Sequence, residues 1–132
     1  MPRKLTRQQL VRKLDKVFSE YIRRKDADVS GNVKCVTCSK ISHYKTMHCG
    51  HFQPRQYKTT RWEEDNVAVQ CPGCNTFRGG EQYLFARYLD RKRSGLSKSL
   101  YEKSRESKKI LTIEITEMIE RYKEKIKGLN NE

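Results

Sequence analysis

The sequence of 132 residues lacks any apolar run long enough to cross a membrane, and its mean hydropathy is −0.95. Its charged beginning, MPRKLTRQQL, also lacks the apolar segment of a secretory signal. Histidine is scarce, and the three in the chain, His43, His48 and His51, lie close together. We therefore expect a cytoplasmic protein with no membrane partner, in which thiols stay reduced and paired cysteines bind metal rather than form disulfides.

Acidic residues are too few to balance the basic ones. The chain has 16 Asp and Glu against 29 Lys and Arg, which gives a net charge of +13. The basic residues are spread along the whole sequence, which argues against a simple basic tail. A surplus of this size predicts a polyanionic partner, most simply nucleic acid.

The length suits one domain spanning 1–132. Apolar residues at helical spacing predict amphipathic helices at both ends, over 5–28 and 112–129. Between them, 33–80 shows little helical periodicity, and 81–109 is predicted to be a short helix followed by a basic connector or loosely packed helix. This order predicts a compact central region flanked by helices.

Local signals mark where several elements begin. Thr6 followed by Gln9 predicts a capping box at the first helix, and Thr112 is a candidate N-cap for the last. The segments TMHCGHFQ and NVAVQ predict two paired strands in the central region.

Four of the five cysteines form two Cys-x-x-Cys pairs, Cys35 with Cys38 and Cys71 with Cys74. Each spacing lets two thiolates face one ion from a tight turn, and two such turns complete a tetrahedral zinc site without Cys49 or any histidine. The zinc is predicted to be structural, since such sites supply roughly 10–16 kcal/mol of apparent binding free energy that also stabilises the fold.

Further motifs around these cysteines carry a family resemblance. They are Gly50-His51-Phe52, Arg61 followed by an aromatic residue, Asn66-Val67, Gln70-Cys71-x-x-Cys74-Asn75 and Arg78-x-Gly80. With them the chain resembles the HNH, or ββα-metal, nucleases, and more closely the NinG/Rap recombination endonucleases of lambdoid phages. The Cys-x-x-Cys-Asn arrangement is also similar to the junction-resolving endonuclease of T-even phages. The resemblance implies an α+β fold with a small zinc-stabilised ββα-metal (HNH-like) core between N- and C-terminal α-helices.

The resemblance also implies catalytic roles. Hydrolysis of a phosphodiester needs a group that takes a proton from the attacking water, and His51 matches the family's general base. Asn75 matches the ligand of a catalytic Mg²⁺ or Mn²⁺, which stabilises charge on the phosphate and the leaving oxygen. Asn66 matches the central asparagine, which can orient His51 or tie down the loop between the strands.

Three arginines, Arg55, Arg61 and Arg78, are candidate ligands of DNA phosphates. The chain departs from the wider group at Gly50, where many members carry an acidic or histidine metal ligand. We therefore favour a metal site with Asn75 as its one protein ligand, with His48 a less favoured alternative.

The resemblance implies a metal-dependent DNA endonuclease that acts on branched recombination intermediates, such as Holliday junctions or D-loops, in the host cytoplasm if the chain is phage-encoded. Two other hypotheses stay open: a zinc-ribbon-like DNA-binding module without chemistry, and an adaptor for a recombinase or single-strand-binding protein. Two symmetric cuts would suit a homodimer. Its interface would be the apolar stripe between Ile115 and Leu129, unless that stripe packs on Leu14 and Phe18.

Overall fold

The structure, a computed structural model, describes residues 3–130. Within them the chain mixes helices with two small antiparallel strand pairs. In order, the elements are α1 (Arg7–Arg24), β1 (Asn32–Lys34), β2 (Ile41–His43), β3 (His48–His51), α2 (Lys58–Arg61), β4 (Val67–Gln70), α3 (Gln82–Lys92), α4 (Leu96–Ser104) and α5 (Thr112–Asn130). None of the helices in this range has both the length and the apolar composition needed to span a bilayer.

The strands confirm the predicted pairing in the central region. β3 runs antiparallel to β4, with His48 opposite Gln70 and His51 opposite Val67, and β1 pairs with β2. After β4 comes a single π-type helical turn, Gly73–Phe77, while α3 begins only at Gln82. The α+β mixture is therefore observed, whereas the finer ββα-metal assignment stays a prediction.

The first helix begins at the predicted capping box. The Thr6 hydroxyl accepts a hydrogen bond from the Gln9 backbone N–H at 3.1 Å, and the Gln9 side chain accepts one from the Thr6 N–H at 2.9 Å. The helix ends at Arg24, short of the expected residue 28. Its end precedes a turn in which the Asp28 carboxylate accepts hydrogen bonds from the backbone N–H groups of residues 30 and 32.

The two terminal helices pack against each other and form the largest apolar cluster. Its members from α1 are Leu14, Phe18 and Ile22, and those from α5 include Ile115, Ile119 and Tyr122. The rings of Phe18 and Tyr122 meet edge to face at 5.0 Å. The stripe suggested as a dimer interface is thus buried within the chain, and the packing alternative is correct. This stripe is therefore not available as the interface of a homodimer, and the homodimer itself stays a prediction.

The start of the last helix also differs from expectation. Thr112 is the first residue of α5 rather than its cap, and its hydroxyl accepts a hydrogen bond from Arg7 at 3.0 Å. The Glu114 carboxylate instead accepts from the Leu111 N–H at 2.7 Å. These contacts connect the beginnings of α1 and α5.

The segment 81–109 forms two helices, and a few apolar side chains on them are buried. The chain turns between α3 and α4 at Gly95, whose φ of +79° favours glycine. Leu89, Leu96 and Leu100 are buried in a cluster that includes Phe52 next to β3. The apolar residues of this segment are few, but their helical spacing places them on one face, which packs on Ala68 of β4 and on Phe52.

Candidate active site and metal centre

The predicted zinc ligands converge in space. All four sulfur atoms lie within 4.8 Å of one another, and the Sγ atoms of Cys38 and Cys71 are 3.6 Å apart. A tetrahedral zinc ion with Zn–S bonds of about 2.3 Å separates its sulfurs by about 3.8 Å. The geometry and the all-thiol donor set therefore fit one structural zinc ion, held by Cys35, Cys38, Cys71 and Cys74.

Hydrogen-bond donors lie against two sulfur atoms of this cluster. The Arg78 guanidinium donates to Cys74 Sγ at 3.2 Å, and the Cys74 N–H donates to Cys71 Sγ at 3.4 Å. Arg78 therefore faces the zinc ligands, and its role as a phosphate ligand stays a prediction. Cys49 lies outside the cluster, and burial raises the pKa of its thiol to about 12, which keeps it protonated.

A cleft of about 460 Å³ lies between α1 and β3, and we call it the α1–β3 cleft. Its charged and polar lining includes Asp15, Arg23, His48, His51, Arg55 and Asn75. The fold thus brings together the motif residues His51 and Asn75 with Arg55 and His48, which the sequence had suggested as phosphate and metal ligands, and it adds Asp15 and Arg23 from α1. No sequence signal marks those two, because they belong to no motif and reach the cleft only through the packing of α1.

His51 is held as a neutral base. Its Nε2 lies 3.0 Å from the carbonyl oxygen of Arg61, and a carbonyl can only accept a hydrogen bond. Nε2 therefore carries the proton, which leaves the lone pair on Nδ1. Burial lowers the pKa of His51, and the positive charge of Arg55 lowers it further. The imidazole is thus neutral at neutral pH, the form that can accept a proton.

Asn66 acts on His51 only through the loop between the strands. Its side chain is fully buried, and its Oδ1 accepts from the Gln53 N–H at 2.8 Å. Its Nδ2 donates to the carbonyls of Gln53 at 3.0 Å and Thr60 at 3.1 Å. Thr60 precedes Arg61, whose carbonyl orients His51. Of the two roles predicted for Asn66, these hydrogen bonds correspond to the second, in which Asn66 holds the loop between the strands. Asn66 is a positioning residue, because a buried amide cannot touch a substrate.

Arg61 is engaged with a carboxylate rather than free for phosphate. Its Nε and Nη2 donate to Asp15 at 3.1 and 2.5 Å, and Trp62 Nε1 donates to the same carboxylate at 2.9 Å. Arg55 lies 3.9 Å from Asp15, but its side chain is 62% exposed. Arg23 forms no ion pair within residues 3–130, but its Nε donates to Ser19 Oγ at 3.1 Å and its Nη1 to the Tyr44 carbonyl at 3.0 Å. Arg55 is therefore the cation most available to an anion in this cleft, and Arg23 adds positive charge to its lining.

Asn75 enters the cleft from the zinc-binding turn. Its backbone N–H donates to the Cys71 carbonyl at 2.9 Å, which ties it to the zinc cluster. Its Nδ2 lies 3.0 Å from Nδ1 of His48. No group within residues 3–130 donates a hydrogen bond to its Oδ1. An amide oxygen is the kind of hard ligand atom that Mg²⁺ and Mn²⁺ prefer, so Asn75 fits the predicted role of metal ligand.

The absence of a side chain at position 50 has a structural cause. A Cβ on Gly50 would lie 2.0 Å from Oε1 of Gln70. The Gln70 side chain is fully buried and donates to the carbonyl of Gly80 at 2.9 Å and to Thr37 Oγ1 at 3.1 Å. An acidic or histidine ligand at position 50 would displace this amide. The buried Gln70 amide therefore favours glycine at position 50.

We predict that Cys38→Ser removes the zinc ion and unfolds the central region, because loss of one thiolate removes most of the folding free energy coupled to zinc. Zinc content by atomic emission and thermal melting by circular dichroism measure this. Cys49→Ala is the matched control and should keep its zinc. A Cys38→Ser chain with full zinc and a cooperative melt would contradict the ligand set.

The family model described as Bacteriophage Lambda NinG protein matches residues 3–132, nearly the whole chain. No curated protein and no solved structure matches the chain. The match confirms the NinG part of the resemblance, while the assignment to the HNH nucleases stays a prediction.

Proposed function

The chain belongs to the NinG family, and on that basis we propose that it is a metal-dependent endonuclease that hydrolyses phosphodiester bonds in branched DNA, such as Holliday junctions or D-loops. Membership of the family implies a role related to phage recombination. The observation that supports nuclease chemistry best is the α1–β3 cleft. There a neutral histidine, an amide oxygen suited to a hard cation and two arginines line one pocket.

The proposed mechanism assigns His51 Nδ1 as the atom that takes the proton from the attacking water. The hydrogen bond from Nε2 to the Arg61 carbonyl fixes the ring and its tautomer during this transfer. A divalent cation, when bound at Asn75 Oδ1, would supply electrostatic stabilisation of the phosphate and of the departing oxygen. Because the His51 imidazole is already neutral at neutral pH, it can take this proton without first losing one of its own.

Positive charge in and around the cleft supports a polyanionic substrate. Arg23 and Arg55 line the pocket that holds His51, and a net charge of +13 attracts DNA over a longer range. Binding through phosphates releases counterions, so the affinity for DNA should fall steeply as salt rises. DNA is the expected partner, while a recombinase or a single-strand-binding protein remains a further proposal.

The alternative is a DNA-binding module without chemistry, and the four-cysteine cluster is compatible with it because a structural zinc needs no catalysis. An end-labelled four-way junction incubated with the protein separates the two. Cleavage in Mg²⁺ or Mn²⁺ that stops in EDTA supports the nuclease. Binding without cleavage in either ion would favour the module or the adaptor.

His51→Ala is expected to lower the single-turnover cleavage rate by at least about 100-fold, the lower range for loss of a general base. Zinc content and DNA affinity in EDTA should stay unchanged. His43→Ala is the matched control, because His43 lies on β2 and does not line the α1–β3 cleft. If His51→Ala cuts DNA as fast as the unmodified chain, His51 is not the base.

The pH dependence of cleavage tests the protonation state of His51. A base must be neutral, so the rate should rise with pH through the pKa of His51 and then level off. Burial lowers that pKa, so the midpoint should lie below the ordinary value of 6.5. Single-turnover rates from about pH 5 to 8 cover the range in which histidine titrates. A midpoint above 6.5 would be inconsistent with a desolvated neutral base.

A further inference from the structure

We propose that His48 is a positioning residue that selects which end of the Asn75 amide faces the α1–β3 cleft. The inference rests on the proposed function, in which the Asn75 oxygen holds a divalent cation. His48 belongs to none of the motifs that define the family resemblance. Its ring nitrogen Nδ1 lies 3.0 Å from Asn75 Nδ2, and both residues line the same pocket as His51.

The two ends of a side-chain amide have nearly the same shape but opposite chemistry. A half-turn about the last side-chain bond of Asn75 exchanges Oδ1, which can bind a cation, with the NH₂ group, which cannot. When Nδ1 of His48 offers its lone pair, it accepts a hydrogen bond from Nδ2 and stabilises one of the two orientations. Oδ1 is then the end left free for a cation.

The rest of Asn75 is already held in place, which makes this rotation the important remaining freedom. Its backbone N–H is bound to the Cys71 carbonyl, and its neighbour Cys74 is a zinc ligand. His48 is held from the other side, as the first residue of β3 and opposite Gln70 on β4. The contact therefore joins the strand pair to the zinc-binding turn at the point where the cation would bind.

The same hydrogen bond argues against His48 as a direct ligand. The Nδ1 lone pair that would bind a cation is used to accept the Asn75 N–H. Magnesium also prefers oxygen to imidazole nitrogen. Outer residues that orient a ligand typically change metal affinity by 10–100-fold when they are removed. His48 is therefore expected to act on the cation through Asn75.

A double-mutant cycle of His48→Ala and Asn75→Asp tests this role, because the two carboxylate oxygens of aspartate are equivalent. In Asn75→Asp, both carboxylate oxygens can bind a cation, so orientation by His48 becomes unnecessary. We would measure the Kd for Mn²⁺ by electron paramagnetic resonance on the zinc-loaded full chain, without DNA. His48→Ala should raise the Kd by about 10-fold or more when residue 75 is asparagine. The same substitution in Asn75→Asp should change the Kd little.

Two controls test whether the variants keep their fold. His48→Phe keeps a ring but removes both nitrogens, and zinc content and thermal melting are measured for every variant. His48→Phe should raise the Kd as His48→Ala does. An equal rise in both backgrounds would make His48 a direct ligand and overturn the positioning role. No rise in either background would also overturn it, while leaving the Asn75 site intact if Asn75→Ala alone weakens binding. If the unmodified chain binds no Mn²⁺ beyond its zinc, both this inference and the metal site of the proposed function fail.

Discussion

The four-cysteine cluster is the constraint on which the central region depends. It joins the turn after β1 to the turn after β4, two segments that are distant in sequence. The apolar cluster around it is small, and three of its six buried residues are cysteines of the candidate zinc site. A zinc ion held there would couple its binding to folding and replace much of the burial that a larger core would provide. Because Asn75 follows Cys74 directly, the same ion would also place the candidate cation ligand.

A second set of contacts places the base, and it reaches into the terminal helices. α1 packs on α5 through its apolar face, while Asp15 on its other side binds Arg61 and Trp62. The carbonyl of Arg61 holds Nε2 of His51, and Asn66 fixes the peptide just before it. The proposed base and the candidate cation ligand are thus supported by different elements, His51 by the α1 contact and Asn75 by the four-cysteine cluster. The α1–β3 cleft lies where the two supports meet.

The sequence predicted the features that depend on local spacing. The capping box at Thr6 and the two Cys-x-x-Cys pairs depend on residues within a few positions of one another, and β3 and β4 each carry a local strand signal, so these features are visible without the fold. The roles of the arginines depend on partners far along the chain. Arg61 pairs with Asp15, 46 residues away, and Arg78 faces a sulfur of the metal cluster. Basic character alone cannot distinguish an arginine that binds a substrate from one that is neutralised within the fold.

The packing of amphipathic segments was equally invisible, for a related reason. An apolar stripe shows that a face is buried but not what covers it, which is why the face of α5 was open to two interpretations. In 81–109 the sequence left a basic connector and a loosely packed helix as alternatives after a first short helix, and the structure has a second helix whose buried leucines join the cluster with Phe52 and Ala68. The glycine at position 50 is a further example. It lies against the buried side chain of Gln70, a contact between residues distant in sequence that the sequence does not show.

The most direct test of the central claim is a crystal structure of His51→Ala with a four-way junction and Mn²⁺, measured with anomalous scattering at the manganese and zinc edges. The account predicts a zinc peak among the four cysteines and a separate manganese peak at Asn75 Oδ1, beside a DNA phosphate in the α1–β3 cleft. A single zinc peak, with the DNA bound elsewhere on the basic surface, would contradict it.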